Sequence, residues 1–308
     1  MGKNVFKSLC WVGYYLVVQV IATIAFMVYY ITSGKFSFNL ETSDSDVLAN
    51  EIINFIMQIT VPTLIATALV VIGTFLLYIL IRKHPLNFNQ TKAREVICFT
   101  TAGITLNAGI TAVLMLIQGI LESLLSFLGD MSGVSTTDMV LTGQPFWMLL
   151  LGTGILVPIM EEIVFRYGMC GTLARKGNKM MALVVSSLIF GVMHGNLIQG
   201  GYATILGFIM GLVYLKYDNL LYPIIIHMSI NSSSVIISEF ANEWYLLGAG
   251  AIAATLLITM LKQYPDLKDF SFIKEKREIK VLPSLKDIKA EKMEEIYEET
   301  HNIEKESD

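Results

Sequence analysis

Glu161, Glu162, Arg166, His194 and His227 are ionisable side chains set within strongly apolar stretches, and Asn231 follows His227 by four residues. Groups of this kind are costly in apolar surroundings, which marks them as candidates for chemistry. A carboxylate beside a histidine can take a proton from water. An asparagine with a second histidine can donate hydrogen bonds to the oxyanion formed when that water adds to a carbonyl. The residue types therefore suit addition of water to a carbonyl group.

Spacing sorts these residues. Glu162 and Arg166 lie four apart on one helix face with the acid first, the better order for an ion pair. They are expected to be mainly structural, holding a helix in register. Glu161 is one residue earlier and points about 100° away, with no obvious local cation. Burial without a partner makes its charged form costly, the environment that general bases occupy. Phe190 and His194 share a face, so the phenyl ring can pack beneath the imidazole. His227 and Asn231 share another. Taken singly, each polar residue reads as glue between helices. Depth unites them. On the helical rise, Glu161 lies about 21 Å from Arg175, His194 about 22 Å from Lys179, and Asn231 and His227 about 20 and 14 Å from Asp218. Three separate helices thus place polar groups in one layer, as a single buried site requires.

The elements that must hold this layer are apolar helices. Of 308 residues, 54% are hydrophobic and 16% charged, with a mean hydropathy of +0.60. Eight apolar segments run roughly over 9–32, 52–81, 96–121, 146–172, 180–198, 202–217, 219–238 and 244–262. Segments near 20 residues suffice to cross about 30 Å of hydrocarbon. The fold class expected is an all-α, polytopic transmembrane bundle of about eight spans over residues 1–262, followed by a charged cytoplasmic tail, 263–308. That tail holds 22 of the 48 charged residues. Alternate loops carry 11 basic residues against 1, the lone Lys35. The bias places both termini in the cytoplasm of a multi-pass cell-membrane protein. Trp11, Trp147, Trp244 and Tyr245 read as aromatic belt residues. The Gly207–Gly211 pair reads as close helix packing. A net charge of −4 offers no basic excess for nucleic acid. Cys10, Cys98 and Cys170 form no C-x-x-C and argue against a disulfide scaffold or a cysteine zinc site.

Three motifs stand in order: Glu161-Glu162-Ile-Val-Phe-Arg166, Phe190-Gly-Val-Met-His194 and His227-Met-Ser-Ile-Asn231. This order and spacing resemble the CAAX-protease and bacteriocin-processing family (CPBP, also called Abi), over roughly residues 146–238. The resemblance implies an intramembrane glutamate-dependent endopeptidase. In it, Glu161 would activate water with His194 helping to hold it. His227 and Asn231 would form the oxyanion hole, with Glu162, Arg166 and Phe190 in support. No cofactor is implied.

Other readings remain at this stage. Glu161, His194 and His227 also make a His₂Glu zinc set, although H-E-x-x-H is absent. Ser229 and the serines at 232–234 invite a Ser–His pairing without a nucleophile elbow. A non-catalytic scaffold or bacteriocin self-immunity protein of the same family is the alternative function. A proton-relay transporter is another, against which no repeat symmetry is visible. The partners implied are the lipid bilayer and a peptide or protein substrate, lipidated or not. In the tail, Pro283, Ser284 and Asp287 open an amphipathic stripe through Leu285, Ile288, Met293, Ile296 and Tyr297. It reads as a solvated helix or a docking site for a protein partner.

Overall fold

The computed structural model describes residues 2–35, 45–82, 91–128, 144–175, 177–195, 197–240 and 243–268. The proposed tail helix lies outside them. Every regular element among the described residues is helical. The helices are α1 (Gly2–Thr32), α2 (Ser45–Arg82), α3 (Ala93–Leu128), α4 (Phe146–Ala174), α5 (Lys179–Val192), α6 (Leu197–Tyr217), α7 (Leu221–Phe240) and α8 (Glu243–Gln263). A 3₁₀ turn, Pro265–Lys268, follows. Long apolar runs adopt helices here because the bilayer offers no partner for a free N–H or C=O.

Seven of these helices are long and apolar enough to cross a membrane. The fifth expected span, 180–198, is not among them. Helix α5 has 14 residues, about 21 Å, and falls short of a hydrocarbon core of about 30 Å. It stops because Gly195 takes a left-handed backbone, φ +68°. The N–H groups of His194 and Gly195 turn back to Gly191 O and Val192 O, a glycine-terminated helix end. His194 therefore sits at a helix terminus.

Helix α4 is central: half of its most apolar stretch is buried, against 6% for α1. Small residues bring its neighbours close. A Cβ on Gly152 would meet Ile65 of α2 at 2.8 Å, and one on Gly168 would meet Trp11 of α1 at 2.5 Å. Trp11 is thus no belt residue. Its ring packs edge-on against Phe75, Tyr78 and Tyr167. Trp147, Trp244 and Tyr245 are exposed, as aromatic belt residues are. Gly207 and Gly211 do mark a close crossing: a Cβ on them would meet Phe190 at 3.0 Å and Leu183 at 2.7 Å. This draws α6 onto α5 and seats Phe190 behind the polar layer. Asn107 of α3 donates to Ser233 of α7 and accepts from Ser234.

Residues 263–267, assigned to the tail by charge counting, pack on the helical body. Asp266 pairs with Arg94 at 2.8 Å and accepts Lys216 at its carbonyl, while Leu267 is buried. One compact unit runs from Met1 to Phe270. An ion pair and a buried leucine outweigh what composition alone suggested.

A Cβ on Gly191 would lie 2.0 Å from Thr204 Oγ1 and 2.4 Å from Gly200 O. Gly191→Ala should therefore cost about 2 kcal/mol by overpacking. Gly248, which has open space around it, serves as the control. The measurement is the thermal unfolding midpoint in detergent. Equal midpoints for both variants would contradict the close α5–α6 approach.

Candidate functional site

Glu162 and Arg166 are completely buried and joined on α4, with Arg166 Nε 2.9 Å from Glu162 Oε2 and Nη2 3.2 Å from Oε1. The expected pair is formed, but it does not stand alone. His227 of α7 brings Nδ1 to 2.9 Å from Glu162 Oε1 and Nε2 to 3.6 Å from Glu161 Oε2. Glu161 therefore has a cation-capable neighbour after all, supplied by another helix. The two glutamates diverge around α4, and one imidazole spans the divergence because its nitrogens lie on opposite sides of the ring. A carboxylate held by Arg166 is an acceptor, so His227 Nδ1 carries hydrogen toward it. The Glu161 side chain retains 16% exposure, whereas that of Glu162 has none. Of the two, Glu161 is the one a reactant can reach.

Phe190 ties the cluster together. Its ring lies 4.9 Å from His194, 5.8 Å from His227 and 4.6 Å from the Arg166 guanidinium. Phe165 backs it at 5.1 Å. His194 Nδ1 lies 2.8 Å from Phe190 O. A carbonyl only accepts, so Nδ1 bears the hydrogen, and the neutral ring keeps a lone pair on Nε2. Among the described residues, His194 makes no direct bond to Glu161 or His227. It joins the cluster through the phenyl ring.

Asn231 follows from a backbone irregularity in α4. Leu150–Leu156 and Ile163–Cys170 are π-helical, on either side of the α-helical Val157–Glu162. Such widened turns are frequent at functional sites. Pro158 has no N–H, so the carbonyl four residues before it, Gly154, loses its ordinary helical donor, and Thr153 O loses its own because Val157 N–H reaches Gly152 O in the widened turn. Helix α7 supplies replacements. Ser232 Oγ donates to Gly154 O at 3.0 Å, and Asn231 Nδ2 donates to Thr153 O at 3.0 Å. The second bond fixes the amide orientation of Asn231 and leaves it one more N–H.

Among the described residues, no three His, Cys, Asp or Glu side chains gather as metal ligands would. Glu161, His194 and His227 do not converge as a zinc set. Ser232 is occupied with Gly154 O, and Ser229 with Ile225 O at 2.7 Å. Neither pairs with His227.

Sequence reasoning missed Tyr15 of α1. It lies within electrostatic reach of Glu161, four residues beyond the Trp11–Gly168 contact. An aromatic on a largely lipid-facing helix carries no signal of this. It also missed the Pro158 carbonyls, although a proline within an apolar span followed by Asn-Ser on a later one was the available clue.

Residues 143–233, which hold all of these groups except those of α1 to α3, match the family model described as Type II CAAX prenyl endopeptidase Rce1-like. Three curated bacterial proteins are similar. The "Putative membrane peptidase YdiL" of Bacillus subtilis is 34% identical over 89 residues, 29% of this chain and 36% of that protein. The "Membrane-embedded CAAX protease MroQ" of Staphylococcus aureus is 31% identical over 139 residues, 42% of this chain and 56% of that one. The "UPF0177 protein YxdF" of Lactococcus lactis is 34% identical over 84 residues, 25% and 43% respectively. The matches thus span from about a third to just over half of those relatives. No solved structure matches the chain. By the segment that carries its ionisable cluster, this chain is similar to the Rce1-like CAAX prenyl endopeptidases and to bacterial membrane peptidases.

Proposed function

We propose that the protein is an intramembrane endopeptidase that hydrolyses a peptide or protein substrate with a glutamate-activated water. The observation that carries this reading is His227 bridging a fully buried, Arg166-paired Glu162 and a partly accessible Glu161. The names of two relatives, a membrane peptidase and a membrane-embedded CAAX protease, point the same way.

In this mechanism, water lies between Glu161 and the Nε2 lone pair of His194. Glu161 takes its proton as the oxygen adds to the scissile carbonyl carbon. The carbonyl oxygen becomes an oxyanion, which accepts hydrogen bonds from Asn231 and from His227 Nε2. Because Nδ1–H of His227 already points at Glu162, donation from Nε2 requires the imidazolium. The surrounding charges accommodate it: Glu161 and Glu162 balance Arg166 and protonated His227. When Glu161 takes the proton it loses its charge and the oxyanion gains one. The set stays neutral throughout, which matters where desolvated net charge is expensive. Collapse of the intermediate breaks the C–N bond, and Glu161 passes its proton to the departing amine. The positive-inside bias further supports a multi-pass orientation with cytoplasmic termini.

Three outcomes follow. Glu161→Gln should lower kcat by about 10²- to 10⁴-fold with the thermal unfolding midpoint retained. Folded protein that cleaves at the wild-type rate would defeat the assignment, and a cellular phenotype that survives without cleavage would favour a scaffold. Asn231→Ala should lower kcat about 100- to 1000-fold through loss of an oxyanion donor. A change confined to KM would remove it from that role. In a cysteine-free background, an impermeant maleimide applied to intact cells should label Ser33→Cys and spare Lys92→Cys. The reverse pattern would invert the orientation.

A further inference from the structure

Helices α1 and α2 enclose a cavity of about 350 Å³ lined by Gln19, Thr23, Phe55, Ile56, Ile59 and Thr63, among others. Most of its wall is apolar. At one end Gln19 Oε1 and Thr63 Oγ1 are buried without a hydrogen-bond partner, and Thr63 is only 2% exposed. The neighbouring threonines behave differently. Thr23, Thr60 and Thr67 each return their hydroxyl to the carbonyl four residues earlier. Thr63 withholds its hydroxyl from that ordinary bond and lines the cavity with that hydroxyl unpaired.

One free acceptor and one free donor in an apolar groove complement a peptide unit, which carries one N–H and one C=O. An acyl chain would leave both atoms unpaired, a state that apolar surroundings penalise. The groove is also placed to serve the site. Gln19 lies one helical turn, about 6 Å, beyond Tyr15 along α1, and Tyr15 is the residue within electrostatic reach of Glu161.

We propose that the α1–α2 groove is the substrate cleft for an extended apolar peptide, its backbone held by Gln19 and Thr63. This rests on the endopeptidase reading and adds a substrate-recognition site from helices outside the family-matching segment.

The test separates binding from turnover. Full-length protein carrying Glu161→Gln, in nanodiscs, is titrated with a dansyl-labelled dodecapeptide rich in Leu, Ile and Phe. Adding Gln19→Leu with Thr63→Val should raise Kd about tenfold, the loss expected for these hydrogen bonds. Ile56→Trp is a second variant that reaches the groove from a residue 45% exposed and so spares the core. It should raise Kd similarly by filling the space. Unchanged Kd in both variants would overturn the proposal. So would displacement of the peptide by palmitate together with indifference to Gln19 and Thr63, which would give the groove to a lipid chain. Cleavage by the wild-type protein is read separately. Binding that depends on Gln19 and Thr63 without any cleavage would keep the cleft and defeat the endopeptidase.

Discussion

Two carboxylates, a guanidinium and an imidazole persist in the apolar body only as a set, and Glu162 is where the set is joined. It accepts from Arg166 on its own helix and from His227 on α7. Breaking a buried pair by removing one partner costs about 3–5 kcal/mol, because the remaining charge is left uncompensated. The position of α7 relative to α4 is therefore fixed electrostatically as well as by packing. Elsewhere in the bundle the close approaches are apolar, with Gly152 against Ile65, Gly168 against Trp11 and Gly211 against Leu183.

The π-helical turns and Pro158 act on the same interface by a different route. A bilayer tolerates such a break within a span only where the carbonyls it frees find other donors. Here the donors are Ser232 and Asn231. A local defect in α4 becomes two bonds to α7, and one of them orients an amide assigned to the proposed chemistry. Backbone and side-chain chemistry thus fix the same pair of helices at two successive turns, His227 at one and Asn231 at the next.

Much of this was legible in the residues. The Glu162–Arg166 pair follows from four-residue spacing, and the edge-on contact of Phe190 with His194 from the same rule. The eight helices follow from apolar runs. What escaped was azimuth and distance between helices. That His227 faces both glutamates depends on how α7 is rotated against α4, 65 residues away in sequence, and no periodicity reports that. Trp11 looked like a membrane anchor because its partners, Gly168 and Tyr167, are far along the chain. The α5 length was misjudged because Gly195 sits within an apolar run, where hydropathy continues although the backbone has turned. The helical body was ended too early because charge density cannot distinguish Asp266, paired with Arg94, from the acids beyond it.

Phe190 touches His194, His227 and the Arg166 guanidinium with one rigid ring. Three side chains of the ionisable cluster therefore share a common mechanical reference. When α5 shifts by a few tenths of an ångström in thermal motion, the ring carries its neighbours along, and their mutual separations vary less than their absolute positions. Precision at such a centre then comes from correlated displacement around one aromatic spacer, without any demand that the surrounding membrane-facing helices be stiff.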